Sequence, residues 1–243
     1  MKKEMRKQIA DEFKRMVTEK SLSKVRIAEL IDSLGINRNT FYYYYGSKLD
    51  VAYWIFRWDL NRALEQELPS ALLVYSDCEL KDGSVERLAY WTRVETGART
   101  LDGTKFFHAL MHCLHDNAPY YRKVFTPSEG EFIDWLSGLW SAAAKKDIDF
   151  ILSGRPMNES ARNFLARAYA SQIIVQVITC MLPEFGDILE EPEKYAYWNS
   201  TFEGVRASIE RNPSGLEKSS LADFYRWSPP YRLSSAADSV RTR

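Results

Sequence analysis

"GINRNTFYYYYGSK", residues 35–48, holds four consecutive tyrosines, too many for one buried face and too aromatic for an ordinary exposed loop. Just upstream, Ile27, Ala28, Ile31 and Leu34 recur at helical spacing, and Gly35 is the residue type that ends a helix in a left-handed turn. Asn37 is a good N-cap for a short helix after it. Helix, tight glycine turn and short helix make a helix-turn-helix pattern. At about 3.6 residues per turn, Phe41 and Tyr45 share an inward face, while Asn39 and Tyr43 point the opposite way. Arg38 with Tyr42, and Thr40 with Tyr44, stand at the two edges. One tyrosine is thus core, one faces outward centrally and two flank it.

An outward face of Arg, Asn, Thr and Tyr suits a DNA major groove, because these side chains reach base edges and phosphate oxygens. "SKLD" then starts another helix, with Ser47 as its cap three residues before Asp50. Lys48 in its first turn opposes the helix dipole unless an anion sits there, and a phosphate would meet both Lys48 and the free backbone N–H groups. Charge distribution agrees. The 243 residues have a formal net charge of +0, yet residues 1–48 carry 11 basic and 6 acidic side chains and the remainder 22 and 27. The basic N-terminal part points toward a polyanion.

Elsewhere helical periods dominate. Met5, Ile9, Phe13, Met16 and Val17 form the stripe of a first helix, and the helix from Ser47 is apolar on almost every side from Val51 to Leu60, as expected of an element between two packed layers. After a loop from about 69 to 83, helices are expected near 84–97, 101–115, 118–125, 128–152, 158–182 and 193–211. The chain therefore reads as all-α: an N-terminal three-helix DNA-binding domain at 1–47, a larger helical domain at 48–211 and an irregular tail at 212–243, where Phe224, Tyr225, Trp227 and Tyr231 could dock.

"VRIAELIDSLGINRNTFYYYYGSKLDVAYWIF" resembles the DNA-binding half of the TetR/AcrR family of bacterial transcriptional regulators, and Gly35, Ile36, Thr40, Phe41, Tyr42, Tyr44, Tyr45, Ser47 and Lys48 carry the resemblance. It covers about residues 5–60; beyond them only the helical architecture is similar. Arg26 stands where the family usually has a capping threonine, so a phosphate contact would come from its guanidinium, and Tyr45 stands for the usual phenylalanine. The resemblance implies Arg38 and Asn39 as base readers, Tyr43 central in the groove, and Thr40, Tyr42, Tyr44 and Lys48 on phosphates. It implies a repressor released from a double-stranded DNA operator by a small-molecule effector. The alternative is a ligand-independent DNA-binding regulator acting through a protein partner.

The resemblance also implies a homodimer built on helices 158–182 and 193–211. Phe164, Ala168, Ser171, Val175 and Ile178 lie on one broad face, which Ile174, Val177 and Met181 widen past what one neighbour could cover. Residues 84–140 are dense in aromatics, and the implied effector pocket takes Tyr90, Trp91, Phe107, His108, His112, Tyr121 and Trp135 as candidates. His108, His112 and His115 fall within an arc of about 60° on one helix. That spacing suits a metal, with Asp116 or Cys113 nearby, or an anionic effector, or merely hydrogen-bonded, partly buried histidines; no metal and no cofactor are assigned.

No nucleophile elbow, phosphate loop or HExxH motif is present, so an enzyme is not expected. Three cysteines without close pairing argue against a disulfide framework. The N-terminus lacks a signal-peptide apolar stretch, and "ASQIIVQVITCML" is short for a bilayer and holds two glutamines, so a cytoplasmic protein with no membrane partner is expected.

Overall fold

A computed structural model describes residues 2–185 together with 207, 209 and 210. Most of these are helical. The order is α1 (Lys2–Lys20), α2 (Ile27–Leu34), α3 (Arg38–Tyr44), α4 (Lys48–Glu67), β1 (Leu73–Glu79), β2 (Val85–Thr92), β3 (Glu95–Gly97), β4 (Thr100–Leu101), α5 (Thr104–Asp116), α6 (Ala118–Val124), α7 (Gly130–Leu152) and α8 (Glu159–Met181). The expected helix at 193–211 falls outside the described residues except at those three positions, and the tail at 212–243 falls wholly outside them.

The start of the chain folds as its punctuation dictates. Gly35 takes φ 61°, ψ 28° and its N–H donates to the Asp32 carbonyl, ending α2. The Asn37 side chain accepts from the Thr40 N–H (2.8 Å) to start α3, and the Ser47 hydroxyl accepts from the Asp50 N–H (3.1 Å) to start α4. Inside this frame Ile9, Phe13, Val17, Leu22, Leu30 and Phe41 are buried together.

α4 is the central element. Val51, Ala52, Trp54, Ile55, Phe56 and Leu60 are all buried, and the helix packs on α1, β2, α5 and α7. Phe56 meets Tyr121, Phe125, Phe132 and Trp140 edge-on at centroid distances of 6.0–6.1 Å, so the aromatics expected in this region form a solid core around α4.

One part of the all-α expectation is corrected. The loop at 69–83 and the helix at 84–97 are replaced by an antiparallel hairpin, β1 with β2, from Leu73↔Thr92 to Glu79↔Val85, followed by the short pair β3 with β4. The turn is built on Asp82-Gly83: Gly83 has φ 76°, and the Ser84 N–H donates to Asp82 Oδ1 (3.1 Å). The hairpin docks on α4 through polar contacts. The Ala89 N–H donates to Asn61 Oδ1 (2.7 Å), and the buried Arg57 donates to the Ser76 carbonyl (3.1 Å), the Ser76 hydroxyl (3.0 Å) and the Leu88 carbonyl (3.2 Å).

α8 is long and apolar enough to cross a membrane by length and composition, and half of that stretch is buried within the molecule. Its faces divide sharply. Ile174, Val177 and Met181, expected to widen an outward face, are buried in the chain's own core, while Phe164, Ala168, Ser171 and Val175 are exposed and Ile178 is half-buried.

Candidate nucleic-acid interface

α3 presents Arg38, Asn39 and Tyr43 to the outside, with Thr40 and Tyr42 half-buried beside them. The Arg38 guanidinium sits 5.5 Å from the centre of the Tyr42 ring, one helical turn away, which holds the long side chain over an aromatic support. Thr40 contributes to the cap, since its hydroxyl donates to Asn37 Oδ1 (3.1 Å) and keeps its lone pairs for another donor. Arg26 occupies the N-cap position of α2, is exposed and makes no side-chain capping bond. Its guanidinium is a donor and cannot supply the acceptor that a threonine would bring.

Two expected DNA contacts are placed differently. Tyr44 does not stand at an edge of the outward face; it is buried, with the Arg6 guanidinium 5.8 Å from its ring centre. The reason is spacing: Phe41, Tyr44 and Tyr45 stand at i, i+3 and i+4, so all three turn inward. Tyr45 is core as expected, and its hydroxyl donates to the Arg6 carbonyl (3.2 Å); burial pushes its ionisation well above the usual tyrosine range.

Lys48 is the second. Its ammonium donates to the carbonyls of Leu22 (2.9 Å), Ser23 (2.7 Å) and Val25 (3.3 Å), which takes all three of its protons. The unfavourable first-turn position is offset by the α1–α2 turn, not by an outside anion. The same turn is held from the other side, where the Ser23 N–H donates to the buried Glu129 carboxylate (3.0 Å).

Polar contacts fix this frame to the rest of the chain. Arg6, 3% exposed, pairs with Asp82 (2.6 Å) and Glu86 (3.0 Å) on the hairpin, and Glu86 also accepts from Trp54 Nε1 (2.9 Å). Lys14 bonds Asp59 and Asn117 (2.7 Å each), and Asp59 accepts from the Tyr121 hydroxyl (2.7 Å). These contacts were not foreseen, because nothing in a charge at position 6 announces a partner 76 residues away.

The residues expected to line an effector pocket are mostly packed into the core. Tyr90, Trp91, Phe107 and Tyr121 are buried, and none of the cavities described lies among them. His108 and His112 stand near the surface beside Glu67. Trp135 lines one of the described cavities, of about 290 Å³, beside the end of α3, with Tyr45, Asp50, Tyr53, Arg57 and Lys81. Burial lowers the Arg57 pKa, and no carboxylate is among its hydrogen-bond acceptors. A second cavity of about 270 Å³ opens between α1, α4 and α5.

The chain matches no family model and no curated protein. Among solved structures, the dihydroxyacetone kinase operon activator DhaS is similar with a TM-score of 0.46 at 16% identity, over 85% of this chain and 96% of that one. A likeness of that size carries no argument about function, which rests on the geometry of α1–α4.

Proposed function

We propose that this protein is a sequence-specific DNA-binding transcriptional regulator of the TetR type, cytoplasmic and not an enzyme, with α1–α3 as its DNA-binding domain. The observation that carries the reading is the division of α3. Phe41, Tyr44 and Tyr45 anchor the helix, while Arg38, Asn39 and Tyr43 leave the molecule side by side from a rigid support. Arg and Asn are the residues that pair bidentately with guanine and adenine edges, and Tyr43 adds a rigid hydroxyl beside Asn39. The phosphate contacts fall to Arg26, Thr40 and Tyr42.

Control by a small molecule, in the repressor mode, draws support from the cavity at the end of α3. A ligand there would touch the recognition helix and α4 at once, and the buried Arg57 favours an anionic or acceptor-rich aromatic compound. The packed aromatic core favours a second reading, in which the regulator senses no ligand and acts through a protein partner.

Recovery of genomic fragments retained by the purified protein tests the first claim. A shared motif beside a promoter, bound with an affinity that falls steeply with salt, is expected. Retention of random fragments with no shared motif would remove the assignment of α3 as a reading helix.

A further inference from the structure

His108, half-buried, is hydrogen-bonded to His112 through their Nε2 atoms, as partly buried histidines are expected to be, and the carboxylate beside them belongs to Glu67 rather than Asp116. His108 and His112, one turn apart on α5, meet Glu67 at the C-terminal end of α4. His108 Nδ1 is 3.0 Å from Glu67 Oε1, His112 Nε2 is 3.9 Å from the same oxygen, and the two Nε2 atoms are 3.3 Å apart. One ligand atom from each residue can be chosen so that all three lie within 4.8 Å of one another. Three ligands of a tetrahedral zinc ion, bound at about 2.0–2.1 Å, stand roughly 3.3–3.5 Å apart, a spacing that the two Nε2 atoms have at 3.3 Å and that the trio can reach by small side-chain rotations.

The alternative to a metal is a proton shared between the two Nε2 atoms, 3.3 Å apart, but that bond leaves the other nitrogen of His108 without a partner. His108 Nδ1 is buried and has no hydrogen-bond partner although Glu67 Oε1 is only 3.0 Å away, so the carboxylate lies off the line of the ring N–H. The imidazole planes of His108 and His112 stand at 78°, with centroids 4.5 Å apart, so the rings are crossed and do not stack. Three ligand atoms within 4.8 Å of one another, beside a buried nitrogen without a hydrogen-bond partner, make an arrangement that a cation can close. Cys113 points the other way, into the core toward the Tyr121 hydroxyl (4.0 Å), and His115 faces Asp116 (3.5 Å) outside the trio.

We propose that Glu67, His108 and His112 form a binding site for a divalent transition-metal ion of the zinc class, joining the end of α4 to the middle of α5, with water completing its coordination. Two imidazoles and one carboxylate form a borderline-soft donor set that selects zinc, cobalt or nickel over magnesium or calcium, which prefer all-oxygen sites. His112 is half exposed, which leaves a route for the ion and room for the water. The bound ion would hold α4, whose other end supports α3, in one position relative to α5.

Calorimetric titration of the chelator-stripped full chain with zinc chloride tests this. One equivalent is expected to bind, with loss of more than about 100-fold in affinity for His112→Ala and for Glu67→Gln, beyond the 10–100-fold typical of outer-shell changes. Cobalt(II) should give the intense visible bands of a tetrahedral nitrogen–oxygen site in the wild type and not in either variant. His115→Ala should bind as the wild type does. Absence of stoichiometric zinc binding overturns the site. So does wild-type affinity in both folded variants, since the ion would then sit elsewhere, and so does an equal loss in His115→Ala.

Discussion

Lys48 and Arg38 are both basic and both belong to the helix-turn-helix frame, yet their surroundings give them opposite fates. The Lys48 ammonium is spent on three carbonyls of the α1–α2 turn, so Lys48→Ala should destabilise the frame by roughly 1–3 kcal/mol, the net worth of charged hydrogen bonds at a part-buried site. Chemical denaturation should report that loss, and the salt slope of DNA binding should stay within experimental error of the wild type. A slope reduced by about 0.9 would instead return Lys48 to a phosphate. Arg38→Ala and Asn39→Ala should leave stability alone and cost about 1–3 kcal/mol on the preferred site, with random DNA bound as before. Asp147 shows the same dependence on surroundings far from DNA. It accepts from Trp91 Nε1 (2.7 Å) and Arg93 (3.2 Å), but burial outweighs both and raises its pKa to about 6 from 3.8. A carboxyl whose pKa is higher in the folded state binds protons more tightly there, so its stabilising contribution is full below pH 3.8 and is lost as pH rises through about 6. Stability measured against Asp147→Asn should therefore fall by at most about 3 kcal/mol between pH 4 and pH 7 and stay flat above. Parallel curves for the two proteins would show that folding does not raise the Asp147 pKa.

At the scale of elements, α1–α4 were legible in the sequence because their apolar stripes are helical and the boundaries around α3 carry local chemical signals: Gly35 for a left-handed stop, Asn37 and Ser47 for starts. The hairpin was not. The last five residues of β2 are all buried, so "LAYWT" shows no alternation and its apolar run fits a helix as well as a strand. The signal that could have decided it is Asp82-Gly83 between two runs rich in Val, Tyr and Trp. Tyr44 was misplaced for a different reason, because a strict opposite-face reading gave only two inward positions to a helix whose last turn buries three. The hairpin matters because it pins the start of α1. Arg6→Ala would leave the Asp82 and Glu86 carboxylates facing each other without their cation, and breaking such a buried pair costs roughly 3–5 kcal/mol. Joint replacement of Arg6 by Met, Asp82 by Asn and Glu86 by Gln should recover most of that loss. Denaturation midpoints of the single and triple variants check it, and a loss under about 1 kcal/mol for Arg6→Ala would mean that the hairpin does not hold α1.

On the scale of the whole molecule, the question is what lies against α8. Phe164, Ala168, Ser171 and Val175 follow one another at three- and four-residue steps and are all exposed, Val175 at 61%, while the opposite face is sealed in the core. An exposed helical stripe of this kind, on a protein read as a DNA-binding regulator, fits a two-fold partner. Such a dimer would present two copies of α3 about one DNA turn apart, roughly 34–36 Å or somewhat more, and the operator would be an inverted repeat. Val175→Arg together with Ala168→Glu changes only this exposed face, so the variant should keep the wild-type helix content by circular dichroism, lose only the stabilisation that dimerisation adds, and sediment as a monomer at micromolar concentration. Its affinity for a single half-site should equal that of the wild type, and its affinity for the full repeat should collapse to that half-site value, because the second contact is no longer delivered at high effective concentration. Control enters through the same geometry. An effector in the cavity at the end of α3 can change operator affinity only by its differential affinity for the two spacings, about 1–3 kcal/mol, and operator DNA must weaken the effector by the same factor. A wild type that sediments as a monomer would remove the dimer and this route of control together, whereas a dimer indifferent to every ligand tried in that cavity would leave the inverted repeat standing and transfer regulation to a protein partner.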